Sequence, residues 1–170
     1  MTTATRPTIH VPVPEEGEFS VDGFLPAPEL DTLLERLTQE YPDVFEALEM
    51  VTVRCLWKAK GGSSHGRPKT GWTVKQTGLN RHFAECDFVL WLAADHIRDL
   101  GLNVRSILFH EAQHCGYQEG EDGAEGKAVY VGHDAELFTA DITRLDRSDW
   151  LDFVNEVASA FEQPGLFDAP

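Results

Sequence analysis

The chain has 170 residues, 42% hydrophobic and 25% charged, with a formal net charge of −15. That composition is ordinary for one globular domain with a buried core, and an acidic body of this size disfavours non-specific nucleic-acid binding. No apolar run is long enough to span a membrane, and three cysteines without a Cys-x-x-Cys pair read as free thiols in a reducing cytoplasm.

Residues 1–26 read as an arm punctuated by Pro7, Pro12, Pro14 and Pro26, and its beginning has no apolar segment of the secretory-signal kind. Val11, Val13, Phe19, Phe24 and Leu25 are apolar enough to pack on the domain expected over residues 27–162. A helix is expected from Pro28, a residue favoured at the first helical position, with Leu30, Leu33, Leu34 and Leu37 on one face and Pro42 as its stop. Asp43-x-x-Glu46 reads as a capping-box variant that opens a short helix to about Leu48. Val51, Val53, Cys55 and Trp57 alternate with polar residues and predict a half-buried strand. Gly61 to Gly66 reads as a flexible loop, Trp72 and Val74 as a short strand, and Asp87 to Ala94 as a covered strand.

The most informative stretch is His110-Glu111-Ala112-Gln113-His114. On a helix, residues four apart stand one above the other, so two imidazoles face one ion and the glutamate lies beside them as a general base. Asn103 is the expected N-cap, and Val104, Ile107, Leu108, Glu111 and Cys115 recur at helical spacing. This puts Glu111 on the apolar side, where a carboxylate needs a partner. The other reading is a helix that carries two histidines by chance.

Two histidines do not complete a catalytic zinc site, which usually has three protein ligands and a water. Gly116 to Gly126 reads as a Gly- and acid-rich mobile loop. A short strand from Ala128 to Val131 then hands over at His133 to an amphipathic helix running to about Leu145. His133 is therefore the preferred third ligand, Glu136 is its rival, and Asp134 and Glu136 are the candidates to support the ligands from behind. Tyr117 and Tyr130 are candidates for stabilising an oxyanion, with packing as the alternative for each. A last helix opens at Ser148 with an apolar stripe from Trp150 to Phe161.

His110-Glu111-x-x-His114 together with Gly132-His133-Asp134-x-Glu136-x-Phe138 resembles the putative phage metallopeptidase family. Gly66-Arg67-Pro68-Lys69-x-Gly71 and the run from Asp87 to Asp95 are also similar to that family, and the match covers roughly residues 50–145. A more distant similarity is to SprT-like zinc proteases, in which a third histidine precedes a helix. The resemblance implies an α+β, zincin-like domain, with a small mixed sheet packed on the His-Glu-x-x-His helix and flanked by helices. It also implies Zn²⁺ and peptide-bond hydrolysis. In such folds the strand before the zinc helix borders the cleft, so the edge of the Asp87–Ala94 strand is expected to pair with an extended substrate. The extended metzincin motif is absent, since Tyr117 and Gly120 stand where Gly and His would be required.

Two accessory sites complete the reading. From Met50 to Ala84 there is no Asp or Glu, and the window holds half of the fourteen basic residues. Arg54, Lys58, Lys60, Arg67 and Lys69, with Trp57, Trp72 and His65, form a candidate DNA contact within residues 54–81, against a solvated loop as the alternative. The tail Gln163-x-x-Leu166-Phe167 resembles the peptide by which bacterial proteins dock on the sliding clamp. Three functions compete: a protease acting on DNA-associated proteins, a regulatory protease specific for a repressor-like partner, and a non-catalytic zinc-stabilised interaction module.

Overall fold

A four-stranded mixed sheet positions the site. The computed structural model describes residues 11–64, 67–121 and 124–132, all within one unit spanning residues 1–132. The first ten residues, His65 and Gly66, the helices expected from Asp134 and Ser148, and the tail from Gln163 lie outside the described residues.

Helix α1 runs from Pro28 to Glu40, with proline in its first turn and Leu30, Leu33, Leu34 and Leu37 all buried. Its acidic first turn is tied to strand β2, Val53–Lys58. Asp31 accepts the Cys55 backbone N–H at 2.9 Å, and Glu29 accepts the Trp57 indole N–H. Strand β2 pairs antiparallel with β1 (Phe24–Pro26) and parallel with β6 (Phe88–Ala93), and β6 pairs antiparallel with β5 (Gly71–Lys75). The order is therefore β1-β2-β6-β5. Cys55, Trp57, Leu90 and Leu92 point inward and meet α1 and helix α4, Val104–Ala112, through Leu108 and Ala112. This is the expected α+β arrangement, with a mixed sheet packed on the His-Glu-x-x-His helix. None of the described helices is long and apolar enough to cross a membrane.

Several local readings are corrected. The strand before α4 is not an edge: β6 lies between β2 and β5, and the edge beside α4 is β5. The Asp43 capping box does not form. Residues Glu46–Glu49 are a 3-10 turn opened by Phe45, which has no side-chain cap but is buried against Phe109 at 5.1 Å between ring centroids. Burial of one aromatic ring, rather than a cap, decides that turn. The loop at Gly61 is anchored: Gly61 is buried, its N–H reaches Asp95 at 3.0 Å, and the His96 ring meets the Gly62 carbonyl at 2.8 Å. A Cβ on Gly61 would stand 2.2 Å from the Lys69 carbonyl oxygen, so only glycine fits. Past this loop, β3 (Ser63–Ser64) pairs with β4 (Arg67–Pro68).

Helices α2 (Gly78–Ala84) and α3 (Ala94–Leu100) carry too few buried residues to leave a stripe in the sequence. Cys115 is not on a helical face, because α4 ends at Ala112 and Cys115 opens strand β7, Cys115–Gln118. Strand β7 pairs antiparallel with β8, Lys127–Tyr130, so the first part of the expected loop at Gly116 is sheet. Cross-strand pairing there overrides the local preference of glycine for turns.

One polar knot joins the start of β6 to the residue before β2. Asp87 accepts both the Thr52 N–H and the Thr52 hydroxyl at 2.9 Å, and Arg81 Nε meets its other oxygen at 2.8 Å. Burial by itself would raise the Asp87 pKa; the Thr52 bonds and the Arg81 charge outweigh it and hold the carboxyl below its usual range. A depressed carboxyl stabilises the fold above its unfolded pKa and loses that contribution as pH falls through the folded value. Asp87→Asn should therefore cost about 1–3 kcal/mol at pH 7 in urea unfolding. The gap from wild type should close below about pH 4. An unchanged midpoint at pH 7 would remove Asp87 from the list of stabilising contacts.

Candidate metal centre

Helix α4 begins as the sequence predicts, with the Asn103 side chain accepting the Ser106 N–H at 3.3 Å. Its last turn presents His110 to the surface and Glu111 to the interior. The helix stops two residues before His114, yet the two rings stay neighbours, with centroids 5.4 Å apart and planes at 89°. Two imidazoles sharing one tetrahedral ion, with metal–nitrogen bonds of ~2.0–2.1 Å, place their centroids roughly 5 Å apart. The observed pair fits that requirement.

His114 is held on three sides. Its ring Nδ1 is 2.7 Å from the Val131 carbonyl, and its own carbonyl accepts the Val131 N–H at 3.0 Å. A carbonyl only accepts, so Nδ1 carries a proton and Nε2 is the ring nitrogen left to face a metal, the orientation a ligand needs. Tyr130 stacks on the ring at 4.9 Å with planes 7° apart. His114 is only 5% exposed.

Glu111 is 8% exposed and fits into a socket made by β5. The Thr73 hydroxyl lies 2.7 Å from the Glu111 backbone oxygen and 3.2 Å from its Oε2. Desolvation raises the Glu111 pKa; His114, the Thr73 hydroxyl and Lys69 pull against it without cancelling it. A carboxyl poised above its usual range is a better proton acceptor than a free one. Gly71 leaves the space the acid occupies: a Cβ there would sit 2.8 Å from Glu111 Cγ, 3.0 Å from Oε1 and 3.1 Å from Ile107 Cγ2. Gly71→Ala should displace the carboxylate and cost about 1–3 kcal/mol by overpacking. Wild-type stability and wild-type activity in that variant would show that the socket is looser than these distances say.

Residues 23–162 match the family described as putative phage metallopeptidase. The chain belongs to that family. No curated protein and no solved structure matches it.

Membership sets the coarse class, a peptidase that uses a metal ion. Among the described residues no three His, Cys, Asp or Glu side chains gather as a metal site. The structure brings His110, Glu111 and His114 together; His133, Asp134 and Glu136 lie outside the described residues. Tyr117 packs beside Val51 and Phe88 in a second apolar cluster, while Tyr130 serves His114 by stacking. Of the basic residues, Lys60 pairs with Glu16 at 3.5 Å, and the Arg67 side chain lies outside the description. Trp57 is fully buried beneath α1, so it is not a DNA contact. The sequence assigns no role to Thr73 or Val131, and Gly71 enters it only through the family resemblance. Thr73 had a usable signal, since Gly71 and Thr73 alternate with Trp72 and Val74 and so share a face.

Proposed function

We propose that the protein is a zinc-dependent endopeptidase in which His110, His114 and His133 hold the ion and Glu111 is the general base. The observation that carries this reading is the His114 ring, locked by the Val131 carbonyl in the ligand orientation beside a buried carboxylate. His133 is the third donor of this reading, two residues beyond Val131 in the sequence. Three imidazoles suit zinc best among common ions.

A bound zinc ion supplies Lewis acidity, polarising the scissile carbonyl and lowering the pKa of a water towards ~7. The chain supplies the rest. Glu111, kept in place by Thr73 and the gap at Gly71, takes a proton from the attacking water and returns it to the leaving amine nitrogen. Among the described residues β5 is the edge strand that lines the base, and its outer side suits an extended peptide added as a further strand.

Elemental analysis tests the reading. Wild type should carry equimolar zinc, and His133→Ala should lose it. Zinc retained in His133→Ala but lost in Glu136→Ala would transfer the third position to Glu136. Wild-type protein without bound metal, after purification from zinc-containing medium, would sink the proposal.

A further inference from the structure

The sheet has a second face, turned away from α1 and α4. Cross-strand partners share a face, so the register places Leu56, Trp91 and Trp72 in one row across β2, β6 and β5. Arg54 and Lys58 flank that row on β2. Trp72 is 44% exposed and Val74 beside it 38%, and neither belongs to either apolar cluster. Lysine ammonium groups sit over the rings: Lys69 lies 3.6 Å from the Trp72 centroid and Lys58 4.4 Å from that of Trp91. The chain has 29 acidic residues, yet the four strands of this sheet contain none. Arg54 meets Glu85 at 3.3 Å, a pair in which both side chains are largely exposed and which salt or a phosphate can displace.

We infer that this face binds single-stranded nucleic acid. A base has a π-face for the exposed indole, and its phosphate answers Arg54, Lys58 and Lys69; the strand thus satisfies both halves of the surface. An incoming base replaces the Lys69 ammonium over Trp72, and the ammonium moves to the flanking phosphate. An acidic peptide would meet the cations but leave the indole plane unused, and a duplex keeps its bases stacked out of reach. The inference does not depend on the metal.

The test is titration of the full chain with oligonucleotides of about twelve nucleotides, oligo(dT) in one arm and oligo(rU) in the other, followed by tryptophan fluorescence and anisotropy. Binding in either arm should quench fluorescence and weaken with salt, with a log–log slope of about −2 for three displaced counterions. The better arm identifies the strand as DNA or RNA. Trp72→Ala, checked for folding by circular dichroism, should bind roughly 5- to 150-fold more weakly, and Trp72→Phe should recover part of the loss. Lys58→Gln should flatten the slope by about 0.7. No binding in either arm, binding indifferent to Trp72→Ala, equal affinity for an oligoglutamate peptide, or burial of Trp72 in a dimer of this chain would each overturn the inference.

Discussion

Glu111→Gln should reduce peptide hydrolysis by about 10²–10⁴-fold while leaving zinc content unchanged. The amide keeps the shape of the carboxylate and can still accept the Thr73 hydroxyl, but it cannot take a proton at neutral pH. The fold should not suffer. Burial already disfavours the charged form of Glu111, so a neutral side chain at 8% exposure removes a desolvation cost rather than adding one. Cleavage of a random peptide mixture, read by mass spectrometry at matched zinc occupancy, gives the comparison. Equal rates for wild type and variant would remove Glu111 as the base. A rate of zero for both would instead favour a narrow specificity for one partner, and leaves the zinc analysis as the deciding measurement.

The second large effect is expected at His114, and the contrast with His110 makes it diagnostic. His114→Ala should lose the ion and also destabilise the metal-free protein by about 1–3 kcal/mol. It removes a buried ring, its bond to the Val131 carbonyl and the surface on which Tyr130 stacks. His110 is exposed at the end of α4, so His110→Ala should lose the ion with little change in metal-free stability. Urea unfolding of both variants in the presence of chelator, beside zinc analysis without it, separates the two. Zinc retained in His114→Ala would exclude it as a ligand. Equal metal-free stability of the two variants would show that the contacts of His114 contribute nothing to the fold.

The legible parts of this protein are those with a repeating apolar signal. The four leucines of α1 and the run from Phe88 to Ala93 are each read correctly because burial recurs along them. The His-Glu-x-x-His spacing reports its own chemistry. What fails is information spread across strands. Nothing local to Val131 says that its carbonyl will orient a ring seventeen residues earlier. Cys115 continues the helical spacing of α4, yet the chain leaves the helix because Gly116, Tyr117 and Gln118 gain partners on β8. The apolar run of β6 marks a covered strand, but which strands flank it is a matter of pairing that the run does not encode. The basic window spans two faces, since alternation along β2 sends Trp57 inward and Arg54 and Lys58 outward.

The order of the sheet bears on how the chain is made. Strand β5 is synthesised before β6 but stands on its far side from β2, so β2 and β5 share a sheet only once β6 has come between them. Of the two pairings that β6 makes, the one with β5 closes the shorter loop, residues 76–87 against 59–87 for β2, and loop closure favours the shorter link. Both leave the ribosome ahead of α4. Gly71 and Thr73 therefore precede Glu111 in the order of synthesis, and the base is the last member of that contact to emerge.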